Sequence, residues 1–87
     1  MASQPTDDGE RVVQPLLVPG TSGFAVVELK RRLRHWYESR GEPLPRRLRG
    51  PVYGTSAVEA VKRFQRENGL KVDGIVGAET WRALPDG

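Results

Sequence analysis

The chain has 87 residues, 37% of them hydrophobic, a formal net charge of +3 and no cysteine. That length holds one domain with a small core, burying about 60% of the unfolded surface, and the missing cysteine excludes disulfides and zinc–thiolate sites. A single histidine, His35, is too few for a multi-histidine metal centre, so no metal or cofactor is expected, and no apolar run reaches the length of a membrane span.

Residues 1–14 are mostly polar, without the basic start and apolar core of a signal peptide. They are expected to form a flexible tail before a domain at 15–85. Gln14-Pro15-Leu16-Leu17-Val18-Pro19 is apolar and bounded by prolines, which predicts an extended lead-in. Thr21-Ser22-Gly23 offers capping oxygens for a first helix. Val26, Leu29, Leu33 and Trp36 recur at helical spacing as its core face, and Lys30, Arg31, Arg32 and Arg34 lie mostly off that face. Gly41 is the expected stop, followed by Pro43 and Pro45. Lys30 to Arg49 holds eight basic and two acidic residues, a local excess of six positive charges. The stretch from Gly41 to Gly54 is a long loop.

A second helix is predicted from Ser56-Ala57-Val58-Glu59, which has the form of a capping box. Ala57, Ala60, Val61 and Phe64 form its buried stripe, and Asn68-Gly69 ends it. Leu70 is then expected to fold back on the last turn. Val72-Asp73-Gly74-Ile75-Val76-Gly77 reads as a turn. A short third helix follows from about Ala78 to Leu84, with Trp81 and Leu84 inward and Pro85 as the stop. Helices this short are unstable singly and must pack on each other.

Internal similarity is the strongest feature. The run from Val52 to Val61 matches the run from Ile75 to Leu84 at an offset of 23. Each copy reads apolar, apolar, glycine, helix start. The pattern predicts a hook that pulls both apolar residues into the core, turns at glycine and launches a helix. Gly23, Val26, Val27 and Glu28 form a weaker third copy.

Together, Gly23, Val26, Leu29 and Leu33, then Val52-Tyr53-Gly54, then Ala60-Val61-Lys62-Arg63-Phe64-Gln65, then Gly69-Leu70-Lys71-Val72-Asp73-Gly74-Ile75-Val76-Gly77, then Thr80-Trp81 and Leu84 resemble the peptidoglycan-binding domain family of the three-helix type. The resemblance covers residues 16–84. It implies an all-α fold, a compact three-helix bundle with repeated helix-turn hooks. Two positions depart from the family pattern: Gly50-Pro51 stands in place of the first Asp-Gly, and Ala57 in place of the first Thr or Ser.

The resemblance also implies a non-catalytic module that binds peptidoglycan glycan or stem peptide and anchors a linked wall hydrolase, an endolysin or a phage or injection particle. Its expected location is the cell wall, the extracellular space or a virion. Tyr53, Gln65, Trp81, Asp73 and Arg63 are the candidate ligand-binding residues. Each has a structural alternative. Gln65 can satisfy a turn carbonyl, Trp81 and Tyr53 can be core rings, and Asp73 can serve the turn. Thr80 is expected to brace the second hook. Arg46, Arg47 and Arg49 can take stem-peptide carboxylates or wall phosphates, or can form a solvated loop. No nucleophile–base pair is recognisable. Two alternatives remain: a basic helical protein that binds nucleic acid, and a protein–protein adaptor that kept the fold and lost wall binding.

Overall fold

A computed structural model describes residues 15–43 and 48–85. The expected tail at 1–14, together with Pro45, Arg46 and Arg47, lies outside the described residues. The fold is three helices: α1 (Phe24–Ser39), α2 (Thr55–Glu67) and α3 (Ala78–Ala83). Among the described residues there is no strand, only isolated antiparallel bridges at Leu17–Val76 and Ser22–Val52.

Val26, Leu29 and Leu33 of α1 are fully buried, as their spacing requires. Below them the stripe continues through Tyr37, while Trp36 is only half-buried. Positions 26, 30, 33 and 37 follow the helical repeat, and 36 falls beside it. Trp36 still contributes, meeting Tyr37 and Phe64 edge-on with centroids 5.0 Å away from each. The same geometry corrects the expectation for Lys30, which lies on the stripe and is 3% exposed.

Both long helices end by the same device. At α2, Leu70 N donates to Gln65 O (2.8 Å) and Gly69 N to Arg66 O (3.3 Å). At α1, Glu42 N donates to Tyr37 O (3.1 Å) and Gly41 N to Glu38 O (3.0 Å). Gly69 (φ 70°) and Gly41 (φ 71°) supply the left-handed residue that this arrangement needs.

The starts of the helices differ from expectation. Neither α1 nor α2 has a side-chain cap. Thr21 Oγ1 accepts from Val18 N instead (3.2 Å), within the turn before α1. In α2 the capping position is Gly54, whose carbonyl accepts from Val58 N (2.9 Å), so Ser56 falls inside the first turn. The hook before α2 sets this register, because Tyr53 must enter the core and the helix starts as soon as the chain has turned.

Each hook buries one residue of its apolar pair. Tyr53 and Val76 are fully buried, whereas Val52 is 51% exposed and Ile75 is half-buried. Extended backbone sends successive side chains to opposite sides, so two neighbours cannot share one core. The lead-in touches both hooks. Leu17 and Val76 exchange amide hydrogen bonds (3.1 and 2.9 Å). Further along, Gly20 N donates to Tyr53 O (2.9 Å), Tyr53 N to Thr21 O (2.8 Å) and Gly23 N to Pro51 O (2.9 Å). Leu17 fills the core between them and is 1% exposed, while its neighbour Leu16 is 64% exposed.

Leu17→Ala is therefore expected to cost about 2–5 kcal/mol, and Leu16→Ala less than about 0.5 kcal/mol. Urea denaturation of the two variants checks this; equal midpoints would mean that the lead-in is not part of the core.

Candidate functional site

The second hook is built around the side-chain amide of Gln65. Gln65 is 1% exposed and sits on α2 next to the core ring Phe64. Its Oε1 accepts from Asp73 N (3.1 Å) and Gly74 N (3.0 Å). Its Nε2 reaches Ile75 O (3.0 Å), Asp73 Oδ1 (3.2 Å) and Thr80 Oγ1 (3.2 Å). Every polar atom of this buried amide has partners, as low-dielectric burial demands. Thr80, buried at the start of α3, thus braces the hook from the other side.

Gly74 closes the arrangement. It has φ 74°, and a Cβ there would lie 3.2 Å from Val58 Cγ1 and 3.3 Å from Lys62 Cε. Its carbonyl accepts the Tyr53 hydroxyl at 2.6 Å, which ties the first hook to the second. Burial, with the Asp73 charge as a lesser cause, pushes the Tyr53 phenol far above its ordinary pKa. It stays a neutral donor across the physiological range.

Asp73 is exposed at the rim. Its Oδ1 accepts from Ile75 N at 2.9 Å, the Asx-type turn expected of Asp-Gly. That bond, helped by Gln65 and the Lys71 charge, outweighs desolvation and holds the carboxyl below its usual pKa. Trp81 is 3% exposed; its Nε1 donates to Pro15 O (2.8 Å) and the Arg32 guanidinium lies 5.6 Å from its ring centroid.

Beside this hook lies an open groove of about 250 Å³, whose rim includes Leu70, Lys71, Asp73, Ile75, Ala78 and Glu79. Gln65 and Thr80 lie at its floor. Of the five candidates, the fold brings Gln65 and Asp73 to this groove. Tyr53 and Trp81 are core rings behind it, with their polar atoms bonded internally. Arg63 is elsewhere, paired with Glu42 (2.8 Å) and near the Tyr37 ring (5.9 Å). Sequence reasoning missed Leu70, Lys71, Ile75 and Glu79 as groove residues; the turn signal was visible, but not which of its side chains stay outside.

Comparisons with known proteins agree with one another. Residues 22–84 match the family described as "Putative peptidoglycan binding domain". This chain belongs to the peptidoglycan-binding domain family. It is 34% identical over 79 residues to the N-acetylmuramoyl-L-alanine amidase CwlL of Bacillus licheniformis, covering 91% of this chain and 21% of that enzyme. The chain therefore spans about a fifth of that relative's length. Among solved structures, the SleB N-terminal domain superposes with a TM-score of 0.66 at 31% identity, covering 82% of this chain and 89% of that one. A periplasmic domain of the EpsAB fusion protein of the Vibrio vulnificus type II secretion system superposes with a TM-score of 0.65 at 23% identity, over 79% of this chain and 28% of that one. This second likeness is one of fold. The family match starts at residue 22, but Leu17 and Pro15 complete the core and bond the second hook and Trp81. Among the described residues, no helix is long and apolar enough to cross a membrane.

Two outcomes test the hook. Gly74→Ala is expected to cost about 1–2 kcal/mol for the left-handed backbone, plus the crowding against Val58. Gly69→Ala, at φ 70° with open space around it, carries the backbone cost alone. Thermal denaturation should rank Gly74→Ala below Gly69→Ala. Asp73→Asn keeps an acceptor oxygen but removes the charge. Because the folded pKa of Asp73 is lowered, its contribution is present above the ordinary carboxylate range and fades as pH falls through the folded value. Wild type should exceed Asp73→Asn in urea stability at neutral pH, and the gap should shrink below about pH 4.

Proposed function

We propose that this chain is a non-catalytic module that holds peptidoglycan in the groove beside the second hook and so keeps a linked protein at the wall. The reading is carried by one conjunction. The chain belongs to a peptidoglycan-binding family, and a groove sits where its Asp73-Gly74 turn meets α3. Leu70 and Ile75 offer apolar surface for a sugar face or stem-peptide carbons, and Lys71, Asp73 and Glu79 offer charges and acceptors around it. In this reading Asp73 touches the ligand. Gln65, Tyr53 and Trp81 act as positioning residues, since their polar groups are already bonded within the fold.

A groove this shallow binds weakly. Its use is to raise the local concentration of an attached partner rather than to hold a ligand alone. A partner of the wall-hydrolase type fits the CwlL similarity, in which the matched region is a minor part of an amidase. Nucleic-acid binding has less support, because the bases of α1 are held in contacts within the chain. Arg31 and Arg32 both pair with Glu28 at 2.6 Å. Arg34 donates to Leu48 O (2.9 Å), and Lys30 is buried.

The test is sedimentation with insoluble peptidoglycan sacculi. Ala78 is exposed at the first position of α3, so Ala78→Trp fills the groove without entering the core. Folded wild type should co-sediment and folded Ala78→Trp should stay largely in solution. Equal retention of both would remove the groove from the mechanism, and no retention of wild type would remove the function.

A further inference from the structure

The repeat gives the first hook a groove of its own. It holds about 300 Å³ and is formed by Val52, Gly54, the first turn of α2 (Thr55, Ser56 and Ala57), Lys30 and Arg49. Its plan follows that of the second groove. In each, a buried polar residue of the preceding helix reaches a backbone carbonyl of the loop: Gln65 bonds Ile75 O, and Lys30 Nζ bonds Arg49 O at 2.8 Å. In each, the exposed member of the apolar pair and the hinge glycine form one wall, and the first turn of the next helix forms the other.

The two differ in charge. The second groove carries Asp73 and Glu79 against Lys71. The first carries Lys30 and Arg49, and its own helix has no acid in the first turn and no side-chain cap. Lys30 is 3% exposed, and its ammonium has one acceptor, a neutral carbonyl, for three N–H groups. Among the described residues, no carboxylate pairs with Lys30 or with Arg49. Burial holds the Lys30 pKa below the ordinary lysine value. An ammonium that lines an open groove with a single neutral acceptor keeps N–H groups free to meet an anion there.

We infer that the first groove is a carboxylate site that takes the free C-terminal end of a short peptide with small side chains. The carboxylate would lie between the Lys30 ammonium and the Arg49 guanidinium, facing the open amides and hydroxyls of Thr55 and Ser56. The residue's methyl would lie against Val52 and Ala57. This apolar wall favours an alkyl carboxylate over inorganic phosphate, which carries hydrated oxygens on every side. In a wall-binding module such a ligand is a free stem-peptide end. The assignment rests on the proposed function for that source only; the charge and shape of the groove stand without it.

The experiment is an NMR titration of the full chain with N-acetyl-alanyl-alanine, its C-terminal amide, and inorganic phosphate. Amide shifts at Gly54, Thr55, Ser56 and Ala57 are read for wild type, Arg49→Ala and Lys30→Gln. Glutamine keeps a donor for Arg49 O, and Arg49 is exposed, so Arg49→Ala leaves the core intact. The free acid should shift these amides in wild type, with affinity at least about tenfold weaker for the amide and for each variant. Equal binding of acid and amide, no shift with the acid, or binding of phosphate in preference to the acid would each overturn the assignment. Sacculi retention by wild type without an effect of the peptide on this groove would sink this site and leave the wall-binding reading. A peptide effect without sacculi retention would do the reverse.

Discussion

The fold depends on Gly74. Three constraints meet at this one residue: a left-handed backbone, an amide bonded to Gln65 and a carbonyl bonded to Tyr53. Each partner comes from a different part of the chain. Gln65 belongs to α2, and Tyr53 belongs to the hook that precedes it. This node ties the second hook to the first and to α2, just before α3, a helix of six residues that must pack to be stable. The lack of a Cβ is what permits the approach, since Val58 and Lys62 of α2 already occupy the space.

The lead-in supplies the second constraint. Residues 17–23 run between the two hooks and bond to both. Bridge bonds at either end, with a turn at Pro19–Gly20 between them, set the spacing of the hooks, and Leu17 seals the core between them. The folded unit therefore includes residues that precede the family match at 22–84. A small domain has few core residues, so one leucine carries a large share of its stability.

Duplication of the hook gives two grooves of one design with different chemistry. The buried polar residue at the floor sets the character of each. An amide at position 65 can be satisfied wholly from within, and it leaves a groove whose charge comes from its rim. A lysine at position 30 brings a charge that one carbonyl does not balance. The departures at Gly50-Pro51 and Ala57 fall in this first half. Gly50-Pro51 has no side-chain carboxylate to match Asp73, so the first hook has no acid at the equivalent turn.

Much of this was legible in the chain. Helical spacing located α1 and α2, the glycines after Arg40 and Asn68 located their ends, and the offset of 23 located the hooks. Those features are local, set by the period of a helix or the permissiveness of glycine. What the sequence left open depended on direction. Val52 and Tyr53 look alike as an apolar pair, and only the register against Thr21 decides which side chain enters the core. Ser56 has the neighbours of a helix cap, but burial of Tyr53 moves the start to Thr55. Lys30 reads as one more surface base until the helix is rotated to bury Leu29 and Leu33, which turns it inward. The sequence alone determined that there are three helices, two hooks and one family, because periodicity and repetition are properties of the chain. Tertiary packing decided which atoms face the ligand, because inside and outside exist only once the helices close on one another.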